Sequence, residues 1–338
     1  MNTFGMKVKA KCFIEYDSIA DLVDIEFEEL TRPVLHIGGG SNLLFTDDFK
    51  GTVLHSKIDF IEILEQEAET SSSVLVSVGA GVNFDDFCDW AAKEGLWGVE
   101  NLSDIPGEVG AAAVQNIGAY GVEVKDVIKT VYCYDTEEEE FVSFSNEECE
   151  YGYRDSAFKD PEIKGRYIVT HVVFELSREP RPCLDYGHLK SAVEAAATSD
   201  TLTPSLIRRV IIKTRKEKLP DPSVMGSAGS FFKNPVISAE HFKKIEQAAK
   251  AELGAEYEVP HYDLPDGTVK VPAAWMIERC GWKGRRSGGA AVYEKQPLVI
   301  VNYTGEAYPE EIVGLERRII ASVKDKFGVE LHPEVEHI

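Results

Sequence analysis

The segment from Ile105 to Gly121 most restricts how this chain can fold, because it is built largely of small residues: IPGEVGAAAVQNIGAYG. A segment inside a protein core normally fills its volume with larger side chains. Side chains this small allow a flat or phosphorylated ligand to approach the backbone closely. We therefore predict that the segment lines a ligand site, with ordinary core packing as the alternative.

A shorter glycine run lies nearer the N-terminus. Val34 to Ile37 is predicted to be a short buried strand, and it is followed by Gly38, Gly39, Gly40, Ser41 and Asn42. Consecutive backbone N–H groups after a strand can form a nest for phosphate oxygens. The run matches neither a Walker loop nor the G-x-G-x-x-G fingerprint, which would need glycine where Leu43 stands. Phosphate binding and an ordinary tight turn both remain open from the residues alone.

The stretch from Gly226 to Pro235 has the pattern of a catalytic hydroxyl site. Two glycines and other small residues come before Ser230, and two aromatic residues, Phe231 and Phe232, follow it. A hydroxyl held between a thin backbone and an apolar wall is well placed to donate a proton to a buried substrate. The alternative is a Gly/Ser turn that enters a hydrophobic strand.

A basic helix precedes that stretch. Thr203 is predicted to cap it, with Pro204 in its first turn. Six Lys or Arg residues lie between Arg208 and Lys218, where Glu217 is the one acidic residue. This end of the helix is a candidate pocket for a diphosphate, although cations are also favoured at any helix C-terminus.

Length and charge limit the class of protein. A chain of 338 residues favours two or three domains. The net charge of −22 argues against a general nucleic-acid surface. No apolar run reaches the roughly 20 residues that span a bilayer, so we expect a cytoplasmic protein without a membrane segment. The six cysteines are scattered and no metal-binding pattern is present, so we expect reduced structural thiols and no metal site.

Several motifs, taken together, resemble those of the UDP-N-acetylenolpyruvoylglucosamine reductases, also called UDP-N-acetylmuramate dehydrogenases. They stand in the family's order and span essentially the whole chain. The tyrosine loop around residues 184–187 is similar to that of the longer, type I members. The matching residues are 37–42, 105–107, 115–121, 152–156, 218–222, 228–235 and 331–335.

The resemblance implies an α+β fold with an FAD-binding domain of the vanillyl-alcohol-oxidase (PCMH) type in two α/β subdomains, and a separate α+β substrate-binding domain. The expected bounds are 1–70 for the first subdomain, 71–213 for the second and 214–325 for the substrate-binding domain. The tail, 326–338, is expected to return to the active site. Nothing in the sequence demands more than a monomer.

The resemblance also implies the reaction and the residues that perform it. NADPH would reduce non-covalently bound FAD, and the hydride would then pass to the enolpyruvyl ether of UDP-N-acetylglucosamine. Ser230 would donate the proton, while Arg154 and Glu334 would act on the substrate carboxylate. Tyr186, Lys218 and Asn234 would hold the uridine diphosphate. The expected FAD-binding residues are Gly38, Gly39, Gly40, Ser41, Asn42, Ile105, Pro106, Gly107, Gly110, Gln115, Asn116, Gly118, Ala119, Tyr120 and Gly121.

Two other functions remain as alternatives. A flavin oxidase of the same superfamily would use the glycine segments but would leave the cluster at Lys218 and the Ser230 motif without a purpose. A non-catalytic nucleotide-sugar binder would use the basic cluster but would not need two glycine segments of the FAD type.

Overall fold

A computed structural model describes residues 2–64, 72–197 and 201–338, and these form two compact units. The N-terminal unit consists of Lys9–Gly40 and Asp48–Glu217. The C-terminal unit consists of Lys218–Ile338 together with Ser41–Asp47 and the residues up to Val8. The division into two FAD-binding subdomains and one substrate-binding domain is finer than this and stays a prediction.

The described residues form both helices and strands. The helices are α1 (Ile19–Val23), α2 (Phe84–Lys93), α3 (Val109–Gln115), α4 (Leu189–Ala196), α5 (Pro204–Lys218), α6 (Ala239–Leu253), α7 (Ala273–Arg279) and α8 (Pro309–Phe327). The strands are β1 (Ala10–Tyr16), β2 (Val34–Ile37), β3 (Leu43–Leu44), β4 (Phe49–Ser56), β5 (Ile61–Ile63), β6 (Ser73–Gly79), β7 (Gly118–Ala119), β8 (Val122–Glu123), β9 (Ile128–Asp135), β10 (Glu140–Ser145), β11 (Tyr167–Ser177), β12 (Gly226–Ser230), β13 (Val236–Ser238), β14 (Tyr262–Asp263), β15 (Thr268–Lys270), β16 (Arg286–Ser287), β17 (Ala290–Val292), β18 (Val299–Asn302) and β19 (Glu336–His337).

The N-terminal unit begins with a small parallel sheet in the order β1-β4-β2. The central strand, β4, is buried along most of its length, as expected for a parallel strand. β2 has the predicted bounds and leads directly into the first glycine run. Gly38 therefore lies directly after the carboxyl end of β2.

The second sheet of this unit is antiparallel, in the order β10-β9-β11-β6-β5. Alternate valines of β6 face a core formed with α2, α3, β9 and β11. Asn83 caps α2 by accepting from the backbone N–H of Asp85 and Asp86, and Gly95, with φ of +72°, follows its end. The short helix α3 lies within the stretch from Ile105 to Gly121, which we call the small-residue segment. The buried face of α3 packs into this core.

Buried residues of helices α4 and α5 belong to one further apolar cluster of the N-terminal unit. Thr203 bonds to the N–H of Leu206 through its Oγ1 at 3.2 Å, and α5 then begins at Pro204, as predicted. The buried residues Ile207, Val210 and Ile211 form the apolar face of α5. The opposite, basic face ends at Lys218.

The C-terminal unit combines an antiparallel sheet, β12-β18-β17-β16, with a smaller sheet, β13-β15-β14, and three helices. Ser238 caps α6, and α8 begins with Pro309 and ends before Gly328, whose φ is +67°. Side chains of α6, α7, α8 and the main sheet share one core. The final residues leave the helix, and β19 pairs in parallel with β3.

Candidate active site

Ser230 lies at the end of β12, where the strand is irregular. Its register partner on β18 is Val299, and the register shifts between Ser227 and Ser230. Gly229 has a φ of +69°, which is favourable for glycine, and leaves the Ser230 side chain exposed. Such a bulge re-aims one side chain relative to the strand.

The two aromatic residues after Ser230 act differently from what the sequence suggests. Phe231 and Phe232 are 0% and 1% exposed, and both pack into the core of the C-terminal unit. They present no surface to a ligand, so the prediction of an apolar wall at this position is wrong. Their buried side chains instead hold the backbone next to Ser230 in place.

The C-terminal tail runs antiparallel to the segment that follows Ser230. Glu334 donates its backbone N–H to the Phe231 carbonyl at 2.8 Å, and Lys233 donates to the His332 carbonyl at 2.9 Å. The Asn42 amide donates to the Glu334 carbonyl at 3.1 Å. Glu334 is therefore held opposite the residue next to Ser230, which brings two predicted catalytic residues together. Asn42 has a structural contact here, and its predicted cofactor role stays a prediction.

Two predicted substrate residues also belong to the C-terminal unit. The Asn234 side chain accepts the N–H of Ala273 at 2.9 Å, at the first residue of α7. Lys218 is the exposed last residue of α5.

The glycine segments of the N-terminal unit pack against each other. A Cβ atom on Gly38 would stand 3.0 Å from the Cβ of Ala111, and one on Gly39 would stand 3.6 Å from the Cα of Gly107. A Cβ on Gly110 would come within 2.9 Å of the Ala80 Cβ. Glycine is thus required at Gly110 by the protein's own packing, and a Cβ at Gly38 would make an unusually tight contact, in addition to any contact with a ligand.

A buried polar group lies beneath the first glycine run. His55, 1% exposed, is within 2.9 Å of Glu15 through Nδ1 and within 2.9 Å of Glu108 through Nε2. The bond to Glu108 raises the pKa of His55 despite the opposing effect of burial. Within the described part of the chain, the second carboxylate oxygen of Glu108 is buried and has no hydrogen-bond partner. A Cβ on Gly38 would stand 3.2 Å from that oxygen.

Arg154 lies in a loop that contacts the small-residue segment through its side chain. Its φ is +56°, and its guanidinium donates to the carbonyls of Asn116 at 3.3 Å and Gly118 at 2.6 Å. The Glu123 carboxylate is 3.9 Å away. The Asn116 amide in turn donates to the Gly152 carbonyl at 2.7 Å. The small-residue segment therefore positions a predicted catalytic arginine.

Tyr186 is 43% exposed, and its ring meets that of Tyr120 edge to face with centroids 5.9 Å apart. Tyr120, with φ of +49°, comes just before Gly121, with φ of +84°. The tyrosine loop thus contacts the end of the small-residue segment.

Part of the basic face of α5 has a structural role. Arg208 forms ion pairs with Asp85 and Asp89, and Arg215 lies 3.4 Å from the Asp104 carboxylate. Burial would raise the pKa of Asp85, but the bond from Arg208 lowers it below its usual value. Two of the six cations are therefore paired within the N-terminal unit, and a diphosphate pocket at this end of the helix stays a prediction.

These acidic partners were missed by the sequence analysis. Asp104 has a φ of +63° and stands immediately before Ile105, so Arg215 fixes the entry into the small-residue segment. The available signal was the sequence Asp-Ile-Pro-Gly itself, in which an aspartate tolerates the left-handed region before a proline turn.

The residues of the N-terminal unit fit a flavin cofactor. Two glycine segments border one another, and among the described residues no hydrogen-bond partner is found for one buried carboxylate oxygen of Glu108, which lies beside Gly38. An FAD binding domain family matches residues 10–144, which include both segments. The fold and this region define an FAD-dependent oxidoreductase with the predicted α+β fold class.

The C-terminal part of the chain identifies the family. Residues 221–338 match the family described as UDP-N-acetylenolpyruvoylglucosamine reductase, C-terminal domain. UDP-N-acetylenolpyruvoylglucosamine reductase of Bacteroides fragilis strain YCH46 is 50% identical to the chain, and the match covers 100% of the chain and 97% of that protein. The Porphyromonas gingivalis enzyme of the same name is 45% identical over 100% of the chain and 96% of its own length. The chain belongs to the UDP-N-acetylenolpyruvoylglucosamine reductase family.

A solved structure shows the same fold. The UDP-N-acetylenolpyruvylglucosamine reductase from Thermus caldophilus aligns with a TM-score of 0.64 and 24% identity, covering 99% of this chain and 95% of that one. Family membership makes the chain a flavin oxidoreductase of peptidoglycan precursor synthesis, and favours this over both alternative functions.

Within residues 2–64, 72–197 and 201–338, no helix combines the length and apolar character that crossing a bilayer requires. In those same ranges, no group of three or more His, Cys, Asp or Glu residues is arranged to hold a metal ion.

Proposed function

We propose that the chain reduces the enolpyruvyl ether of UDP-N-acetylglucosamine to UDP-N-acetylmuramate, with NADPH as the hydride donor. The observation that supports this most directly is the pairing of Phe231 with Glu334 at 2.8 Å. This pairing brings the predicted proton donor and a predicted carboxylate-binding residue to neighbouring backbone positions. The proposal assigns catalysis to Ser230, Glu334 and Arg154.

FAD, bound without a covalent link, supplies hydride transfer from NADPH to the methylene carbon of the substrate. The backbone N–H groups of Gly38, Gly39 and Gly40 would bind its diphosphate, with Ser41 and Asn42 beside them. The segment from Ile105 to Gly121 would lie against its ring system, where small side chains allow close approach. Neither segment contains an evident attachment residue.

Arg154 would stabilise negative charge that spreads into the substrate carboxylate. Its guanidinium is 18% exposed and is already oriented by the carbonyls of Asn116 and Gly118. Charge stabilisation by a preoriented cation in a desolvated site is a large contribution to catalysis. Glu334 would act on the same carboxylate together with Arg154.

Ser230 would protonate the carbon next to the carboxylate. Hydride addition to the methylene carbon leaves that neighbouring carbon with carbanionic character, which is basic enough to take a proton from a neutral hydroxyl. The bulge at the end of β12 exposes this hydroxyl, while Phe231 and Phe232 hold its backbone in place. A backbone held in this way favours one orientation of the Ser230 hydroxyl.

Tyr186, Lys218 and Asn234 would hold the uridine diphosphate. Lys218 offers an exposed cation at the end of α5, and Tyr186 an exposed ring. A charge-assisted bond to a phosphate is about twice as strong as a neutral one. We further propose that the enzyme acts in the cytoplasm as a monomer, with small-molecule substrates and without nucleic acid.

Anaerobic mixing tests the proposal. NADPH should remove the visible absorbance of the bound flavin, and the enolpyruvyl substrate should then restore it. A flavin that an alcohol reduces and oxygen reoxidises, and that the UDP-sugar does not reoxidise, would contradict the proposal and favour an oxidase.

A further inference from the structure

Asn101 is a buried amide that joins two loops of the N-terminal unit. It lies in the short turn Glu100–Leu102 and is 1% exposed. Its Nδ2 donates to the Tyr120 carbonyl at 2.9 Å and to the Cys183 carbonyl at 2.8 Å. Among the described residues, its Oδ1 has no hydrogen-bond partner and is buried.

The orientation of this amide is fixed by its surroundings. If nitrogen and oxygen were exchanged, an oxygen with lone pairs would face two carbonyl oxygens, and neither bond could form. Both N–H donors of the amide are therefore used, and the side chain links the carbonyls of Tyr120 and Cys183. Few residues other than asparagine supply two donors at this length.

The two bonded carbonyls belong to segments with functional residues. Tyr120 is near the end of the small-residue segment that is proposed to lie against the flavin. Cys183 is three residues before Tyr186. A Cβ atom on Gly121 would stand 3.4 Å from the Cys183 Sγ and 3.6 Å from the Tyr186 Cβ. The two segments are therefore in close contact, and Asn101 anchors both from beneath.

We propose that Asn101 is a positioning residue that holds the Tyr186 loop against the small-residue segment and thereby sets the affinity for the UDP-sugar. The inference rests on the proposed function, in which Tyr186 contacts the uridine diphosphate. Asn101 itself is buried beneath the loops and acts on the substrate through Tyr186. Its loss should therefore raise KM for the UDP-sugar much more than it lowers kcat.

Asn101→Asp is the sharpest variant, because it keeps the shape and replaces two donors by an acid that faces two carbonyl oxygens. In the FAD-loaded enzyme we expect KM for the UDP-sugar to rise about tenfold or more, with kcat within about threefold of wild type. Asn101→Leu, which removes the donors without adding a charge, serves if the aspartate variant fails to fold, and should shift KM in the same direction.

Asn146 provides a matched control in the same unit. Its Nδ2 also donates to two carbonyls, those of Lys125 and Ile128, at 2.8 Å each, and neither belongs to the tyrosine loop. Asn146→Asp and Asn101→Asp should both lower thermal stability, but Asn146→Asp should leave KM for the UDP-sugar unchanged. A KM increase of equal size in the control would show that KM follows general stability, and would overturn the inference.

A double-mutant cycle with Tyr186→Ala separates this inference from the proposed function. If Asn101 acts through Tyr186, KM of the double variant should equal that of Tyr186→Ala alone. Fully additive effects, or an unchanged KM in Asn101→Asp when Tyr186→Ala raises it, would overturn the inference alone. An unchanged KM in Tyr186→Ala would overturn the proposed role of Tyr186 and the inference with it.

Discussion

Lys218 tests the proposed substrate site at the scale of a single residue. Lys218→Ala should weaken binding of UDP-N-acetylmuramate to the oxidised holoenzyme by about 1.5–3 kcal/mol, because a charge-assisted bond to the diphosphate is lost. Calorimetric titration measures this directly. Lys213→Ala, an exposed lysine on the same helix, is the control. Unchanged affinity in Lys218→Ala would mean that this lysine merely ends a helix.

Sequence motifs single out candidate residues, but they do not predict the contacts that those residues make. Ser230 and Arg154 could be picked out by the resemblance. The contact of Phe231 with Glu334 could not, because the two residues lie about one hundred positions apart and backbone pairing of this kind has no local sequence pattern. The same holds for Asn101 and Cys183, which are joined through a side-chain amide.

At the scale of elements, the ion pairs that join α5 to α2 through Arg208 predict how much this contact stabilises the folded chain. Arg208, whose side chain is 11% exposed, bonds to Asp85 and Asp89 on α2. Arg208→Met should lower the free energy of unfolding by about 1.5–3 kcal/mol. The loss stays below that of a fully buried pair because Asp89 is 39% exposed.

Lys93→Ala is the control for this prediction. Lys93 also pairs with Asp89, but its side chain is 73% exposed, so its removal should cost less than about 0.5 kcal/mol. Chemical denaturation of the holoenzyme variants compares the two. Equal losses would contradict a structural role for the partly buried arginine.

Elements with strong local signals were predicted well. β2 has the predicted bounds, because a glycine run ends the strand. Pro309 and Gly328 delimit α8 by equally local means. The ion pairs on the basic face of α5 could not be predicted, since a sequence shows the cations of a helix but not the carboxylates that approach it from α2 and from Asp104. The contribution of cations to a binding site depends on which of them are already paired.

At the scale of the whole unit, His55 joins β4 to Glu15 on β1 and to Glu108 at the start of α3. Its pKa is raised from the ordinary value of 6.5, chiefly by the bond to Glu108. His36 lies on the neighbouring strand, where burial and the charge of His55 lower the pKa of His36 to about 4. A raised pKa means that the folded state holds the proton more tightly than the unfolded state does.

His55 should therefore stabilise the N-terminal unit fully below pH 6.5, and this stabilisation should be lost as the pH rises through the pKa of the folded state. Amide hydrogen exchange of β4 measures the local free energy of opening across this range. His55→Gln should flatten the alkaline decline, whereas His188→Gln, at an exposed position of the same unit, should leave it intact. An unaltered decline in His55→Gln would contradict this role.

The central claim is that Ser230 supplies the proton in the second half-reaction, and rapid-mixing reoxidation of prereduced enzyme by the enolpyruvyl substrate tests it most directly. Ser230→Ala should bind FAD and be reduced by NADPH nearly as wild type, but its reoxidation should slow by roughly 10²–10⁴-fold. Ser230→Cys should recover part of the rate, because a thiol can donate from nearly the same place. Ser223→Ala, at an exposed serine of the same unit, should react at the wild-type rate. Reoxidation of Ser230→Ala at the wild-type rate would show that Ser230 is only the last residue of a strand.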